Sequence, residues 1–219
     1  MQRKYCILQE LRVPNRRSRS TGRLILPQVM AIRDLLDRRA TAVVLQVEEL
    51  PQYLATHPAP DLVVTDSQAF APVSACVPQD IPLTSFSVLL ARSKGPFEAY
   101  VQGAETIDAL QDGDRILILE SCTHHASCED IGRVKLPRLF QKYTGKSLEF
   151  TVVAGLDPLP ENLQDYQLVV QCGGCMINKR ELLSRVHPAS EAGIPICNYG
   201  MAIAYMNGIF KRSIAPFRS

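Results

Sequence analysis

Six short runs of aliphatic and β-branched residues constrain the fold most: 42–47 (Ala-Val-Val-Leu-Gln-Val), 61–65 (Asp-Leu-Val-Val-Thr), 85–91, 115–119 (Arg-Ile-Leu-Ile-Leu), 148–153 and 167–171. They are nearly continuous in apolar character rather than alternating, the pattern of strands buried on both faces. Amphipathic stretches separate them. Residues 28–38 place Val29, Ile32, Leu35 and Leu36 at helical spacing behind Pro27, a residue suited to a first helical turn. Such alternation predicts the α/β class with parallel sheets. Lys94-Gly95-Pro96 breaks the pattern, a helix-like stretch follows, and Asp112-Gly113-Asp114 turns into a new strand. Strand, loop and helix recur on both sides of that break, so the expected architecture is two small parallel-sheet α/β domains in tandem.

Composition narrows the class further. With 219 residues, 46% hydrophobic and 21% charged, the chain is long enough for two modest cores, and no apolar run approaches the roughly 20 residues of a membrane-spanning helix. Disordered, collagen-like and membrane-spanning classes are excluded. The net charge of +2 conceals an asymmetry: residues 1–23 carry seven Lys/Arg against one Glu, leaving 17 basic and 21 acidic residues in the remainder. This start lacks the continuous apolar stretch and cleavage site of a secretory signal, so a cytoplasmic location is expected. It reads as a solvated tail, with no nucleic acid or membrane partner implied. Seven cysteines are too few for a disulfide scaffold, and an odd count with one tight pair suggests a metal or redox site in a reducing compartment.

Gly145-Lys146-Ser147 resembles the tail of a phosphate-binding loop, but Phe140 stands where its first glycine belongs. The order is also wrong, because 133–143 looks helical and 148–152 looks like a strand, giving helix, turn, strand.

The chemistry-bearing residues lie elsewhere. Cys122-Thr123-His124-His125 follows the strand ending at Leu119, and Cys172-Gly173-Gly174-Cys175 follows the strand ending near Gln171. Ligands of parallel α/β sheets bind at the carboxyl ends of strands, so both loops can converge at one edge. Three thiolates and one or two imidazoles form a coherent soft-metal set. Glycines at both intervening positions ease the curl of a Cys-x-x-Cys loop, and a helix starting near Met176 would favour thiolates through its N–H groups. Three cysteines suit an iron–sulfur cubane whose remaining iron takes a weaker ligand, from His124, His125 or Glu129. Two other readings use the same residues: a thiol–disulfide oxidoreductase at Cys172 and Cys175, and a structural Cys₃His zinc site in an interaction module. Cys6, Cys76, Cys128 and Cys197 lack comparable partners; Cys76 and Cys197 sit in apolar surroundings typical of core cysteines.

Cys122-x-His124, 47 intervening residues, and Cys172-x-x-Cys175 are together similar to the cluster-binding signature of the HydF family, which helps build the active-site cluster of [FeFe]-hydrogenases. Gly22-Arg23-Leu24-Ile25-Leu26-Pro27-Gln28, Asp61–Gln68, Leu83-Thr84-Ser85-Phe86-Ser87, Asp130-Ile131-Gly132-Arg133-Val134-Lys135 and Asn198-Tyr199-Gly200 extend the resemblance over about residues 22–212. It implies a dimerisation domain over 22–105 and an iron–sulfur domain over 106–219; residues 1–21 depart from the family's usual lead-in and are expected to be a basic, disordered stretch. It implies Cys122, Cys172 and Cys175 as ligands of a [4Fe-4S] cluster, with Glu129 ahead of His124 as a weak fourth ligand. The implied role is a scaffold and carrier, not an enzyme, that takes up a transient di-iron precursor. Its implied partners are a second copy, the hydrogenase apoprotein and radical-SAM maturation proteins. The family's GTPase domain has no counterpart in these residues. Gln171 departs from the family's His at that position, and an amide is a poor iron ligand.

Overall fold

The computed structural model describes residues 5–10, 24, 26–67, 69–121, 131–155 and 157–218. Two compact units emerge: residues up to Val88 together with Ile209 onward, and Leu89–Gly208. Among the described residues each unit holds one four-stranded sheet, and every strand pair is parallel. The α/β, two-sheet architecture read from the sequence is therefore the observed one. No helix among the described residues is long and apolar enough to cross a membrane.

In the first unit the elements run β1 (Tyr5–Glu10), α1 (Leu26–Asp37), β2 (Thr41–Gln46), α2 (Leu50–Thr56), β3 (Leu62–Thr65), α3 (Phe70–Cys76), β4 (Leu83–Ser85) and the start of α4 (Phe86–Lys94). The sheet order is β2-β1-β3-β4. Leu50, Val63, Phe70, Val73 and Leu83 fill the core, with Ile209 packed against it. The chain returns through α9 (Phe210–Ile214), where Thr84 Oγ1 donates to Ser213 O at 2.8 Å. Arg212 fixes this return: its Nη1 donates to Ser74 O and Oγ, and its Nη2 to Val77 O, Pro78 O and Ile81 O.

Three expectations are corrected here. Residues 5–10, placed in a disordered lead-in, form a strand seated between β2 and β3. Tyr-Cys-Ile-Leu is good strand sequence, and the basic residues around it obscured the run. The run 85–91 is not a strand: β4 stops at Ser85, whose Oγ accepts the Val88 N–H and so opens α4. A short apolar run does not distinguish strand from helix by itself, and a local cap decided it. The run at 42–47 is not buried on both faces, because β2 is an edge strand that leaves Val44 exposed.

In the second unit α5 (Phe97–Glu105) is followed by β5 (Arg115–Leu119), α6 (Leu136–Thr144), β6 (Glu149–Val153), β7 (Leu168–Gln171), α7 (Lys179–Glu191), β8 (Ile196–Asn198) and α8 (Tyr199–Met206). The order is β6-β5-β7-β8. Ile116–Leu119 and Leu168–Val170 have no exposed surface, as expected of central parallel strands. The three-residue β8 escaped the sequence reading. The units divide before α5, not after residue 105, because α5 packs on the second sheet: a Cβ at Gly103 would collide with the Ile196 carbonyl. The phosphate-loop reading fails as its context foretold. Gly145 ends α6 in a left-handed conformation (φ 68°), and Ser147 N–H donates to Asp112 Oδ1 at 2.7 Å in a turn into β6.

Candidate metal centre

β5 and β7 are neighbours, with Leu119 opposite Gln171, so the segments leaving their carboxyl ends start side by side. Cys172 N–H donates to Leu119 O at 2.8 Å, continuing the ladder one residue beyond β7. Ser121 N–H donates to Cys172 Sγ at 3.0 Å. Ser121 is the residue that precedes Cys122 in the sequence. Both loops expected to carry ligands therefore leave the sheet at one point.

Gln171 locks this junction. Fully buried, it donates from Nε2 to Ser121 Oγ at 2.7 Å, to Cys172 O at 3.2 Å and, more distantly, to Cys172 Sγ at 3.5 Å. Its Oε1 has no hydrogen-bond partner among the described residues. The amide thus acts as a strap across the strand ends. A sulfur that accepts N–H donors is suited to carry negative charge, the form in which cysteine binds metal. Arg185 of α7 adds a cation close enough to interact electrostatically with Cys172. Burial lowers its pKa from the usual arginine value, while Cys172 and Asp157 oppose that shift.

The Cys172–Cys175 loop is shaped by one glycine rather than two. Gly174 has φ 59° and its carbonyl accepts the Ile177 N–H, closing a tight turn; Gly173 lacks a left-handed φ, and among the described residues a Cβ there would meet only Leu90, at ordinary contact distance. The following helix begins at Lys179, not near Met176, whose side chain is exposed. Its first turn is occupied by a capping box: Glu181 N–H donates to Asn178 Oδ1 and Asn178 N–H to Glu181 Oε2. The backbone of the loop is held by a contact the sequence did not suggest. Lys94 Nζ donates to Gly174 O (3.1 Å), Cys175 O (3.5 Å) and Ile177 O (3.0 Å). Lys94 had registered only as part of a chain break, and nothing local in sequence links it to a loop about eighty residues away.

The segment carrying Cys122, His124, His125, Cys128 and Glu129 lies outside the described residues. The chain is described again from a π-helical turn at Ile131–Lys135, which sits against the same end of β5. Arg133 pairs with Glu120 at 3.0 Å, and a Cβ at Gly132 would strike Tyr199 Oη and Glu120 Oε1. Among the described residues no three His, Cys, Asp or Glu side chains form a metal-binding group. Cys172 Sγ with its N–H donors, Cys175 on the adjoining loop and the nearby Arg185 have the chemistry an iron–sulfur cluster requires of part of its ligand set. Cys197 is a different kind of cysteine. Buried in β8, it is pushed up to about 12 by desolvation and belongs to the core, and Cys76 is likewise raised by burial.

A family model described as the hydrogen maturase F dimerization domain matches residues 6–95, and one described as the hydrogen maturase F tetramerization domain matches 98–216. No curated protein matches the chain. Among solved structures, an NtrC family transcriptional regulator from Clostridium acetobutylicum covers 95% of this chain and 97% of its own at 8% identity. Its TM-score of 0.28 is too low for any argument. Both matched domains are named for self-association, and their order along the chain is that of the two sheets. The chain belongs to the hydrogen maturase F family, and its role lies in hydrogenase maturation.

Proposed function

We propose that this chain is a [4Fe-4S]-binding scaffold that accepts a di-iron precursor of the [FeFe]-hydrogenase active site and passes it to the hydrogenase apoprotein, acting as carrier rather than catalyst. Cys122, Cys172 and Cys175 would hold the cluster, with Glu129, then His124, as the weak fourth ligand. When bound, the cluster supplies an iron not locked by a fourth thiolate, at which ligands can exchange. Gln171 is not counted among the ligands, because an amide is a poor iron ligand; its Nε2 is committed to Ser121 and Cys172.

The observation that supports the reading is the Ser121 N–H to Cys172 Sγ hydrogen bond, which holds the residue preceding Cys122 in the sequence against the first cysteine of the Cys-x-x-Cys loop. Metal analysis after anaerobic purification tests it: iron with matching sulfide is expected, whereas zinc without sulfide would establish a structural site instead. A radical-SAM partner that delivers the di-iron cargo completes the proposed sequence.

Self-association belongs to the same reading. In the half matched by the dimerization domain, α1 exposes Leu26, Val29, Met30 and Leu36, a stripe that a second copy of this chain would cover.

A further inference from the structure

We propose that Lys94 is a positioning residue for the Cys172–Cys175 loop: its ammonium ties down the loop backbone and sets the charge beside whatever the two cysteines bind. The loop clamp stands on hydrogen bonds alone, and only its electrostatic consequence rests on the cluster reading. An ammonium has three N–H donors, and three carbonyls within four residues, those of Gly174, Cys175 and Ile177, take them. These carbonyls bracket the second cysteine of the pair. The Gly174 carbonyl is shared, accepting also from Ile177 N–H, so the clamp and the turn reinforce each other at one atom.

The base of the clamp is itself held. Lys94 is the last residue of α4, and the next residue, Gly95, donates its N–H to Ala91 O and packs so closely on the Tyr100 ring that a Cβ would collide with it. The stem therefore leaves the helix along a fixed course. Hydrogen bonds from a charged donor are the stronger kind, and in a part-buried site a cation held on the backbone of a ligand loop favours the more negative, reduced state of a bound cluster. Arginine would not reproduce the contact, because its planar fork does not fit three carbonyls converging on one point.

The test uses the full chain as Lys94→Met and Lys94→Arg. Without metal, hydrogen–deuterium exchange at the Ile177 amide reads the clamp directly, and Lys94→Met is expected to exchange about 10-fold faster than the parent protein. After reconstitution with iron and sulfide, Lys94→Met should lose iron to a chelator about 10-fold faster and show a more negative midpoint potential. Lys94→Arg keeps the charge and should retain the potential while still exchanging faster. Unchanged exchange in folded Lys94→Met overturns the proposal; should that variant fail to fold, unchanged exchange in Lys94→Arg overturns it. If exchange rises but the parent protein takes up no iron, the cluster reading falls and the clamp stands.

Discussion

Gly173 and Gly174 are indistinguishable in the sequence Cys-Gly-Gly-Cys, yet the loop treats them differently. Gly174 occupies a left-handed conformation and Gly173 does not. Replacing Gly174 by Ala should destabilise the protein by about 1–2 kcal/mol, the cost of an L residue in that region. Gly173→Ala should stay within about 0.5 kcal/mol. Urea denaturation of both variants checks the contrast, and equal losses would refute the assigned turn. Arg212 is a second residue whose importance no local pattern announced. It supplies the hydrogen bonds that hold the returning chain onto the first unit, and Arg212→Ala should cost about 2 kcal/mol in the same assay. Cys76 and Cys197 were legible as core cysteines because apolar neighbours flank them. Lys94, Ser121 and Arg185 were not legible as site residues, since each acquires its role from a strand or helix far away in the chain.

Elements were legible where burial alone decides conformation. The central strands β5 and β7 read directly as unbroken apolar runs, and their burial on both faces explains why. Elements set by a local cap or by an edge position were harder. α4 looked like a strand until Ser85 proved to cap it, β8 is too short to register, and β1 is masked by the charges around it. α1 was legible as a helix, but its exposed apolar stripe became informative only with the burial of each side chain. Val29→Glu combined with Met30→Glu should leave the fold intact and lower the sedimentation mass from that of an oligomer towards that of a monomer. An unchanged assembly would remove α1 from the interface. Flanking Arg33–Asp37 and Arg38–Asp34 pairs are exposed i,i+4 bridges and contribute little to stability.

At the scale of the whole molecule, the two parallel sheets differ in what they present. The first unit offers no cysteine cluster among its described residues and is matched by a dimerization domain; the second converges its strand ends on Cys172. The tandem α/β plan was readable because the strand, loop and helix pattern recurs. The point of division was not, because the break at Lys94-Gly95-Pro96 precedes a helix that packs on the second sheet. At the candidate centre, the adjacency of Ser121 and Cys172 was legible in outline, because strand ends of a parallel sheet gather loops at one edge, while Cys122 itself lies outside the described residues. The supports of the centre were not, because hydrogen bonds between distant backbones leave no trace in local sequence. The most direct measurement of the central claim is iron and sulfide content with EPR after anaerobic reconstitution, made on the parent protein and on Cys122→Ala, Cys172→Ala and Cys175→Ala. The account predicts about four irons and four sulfides per chain and a reduced-cubane signal, all lost to a similar extent in each variant. Full iron content in Cys122→Ala, or in all three variants, would contradict it.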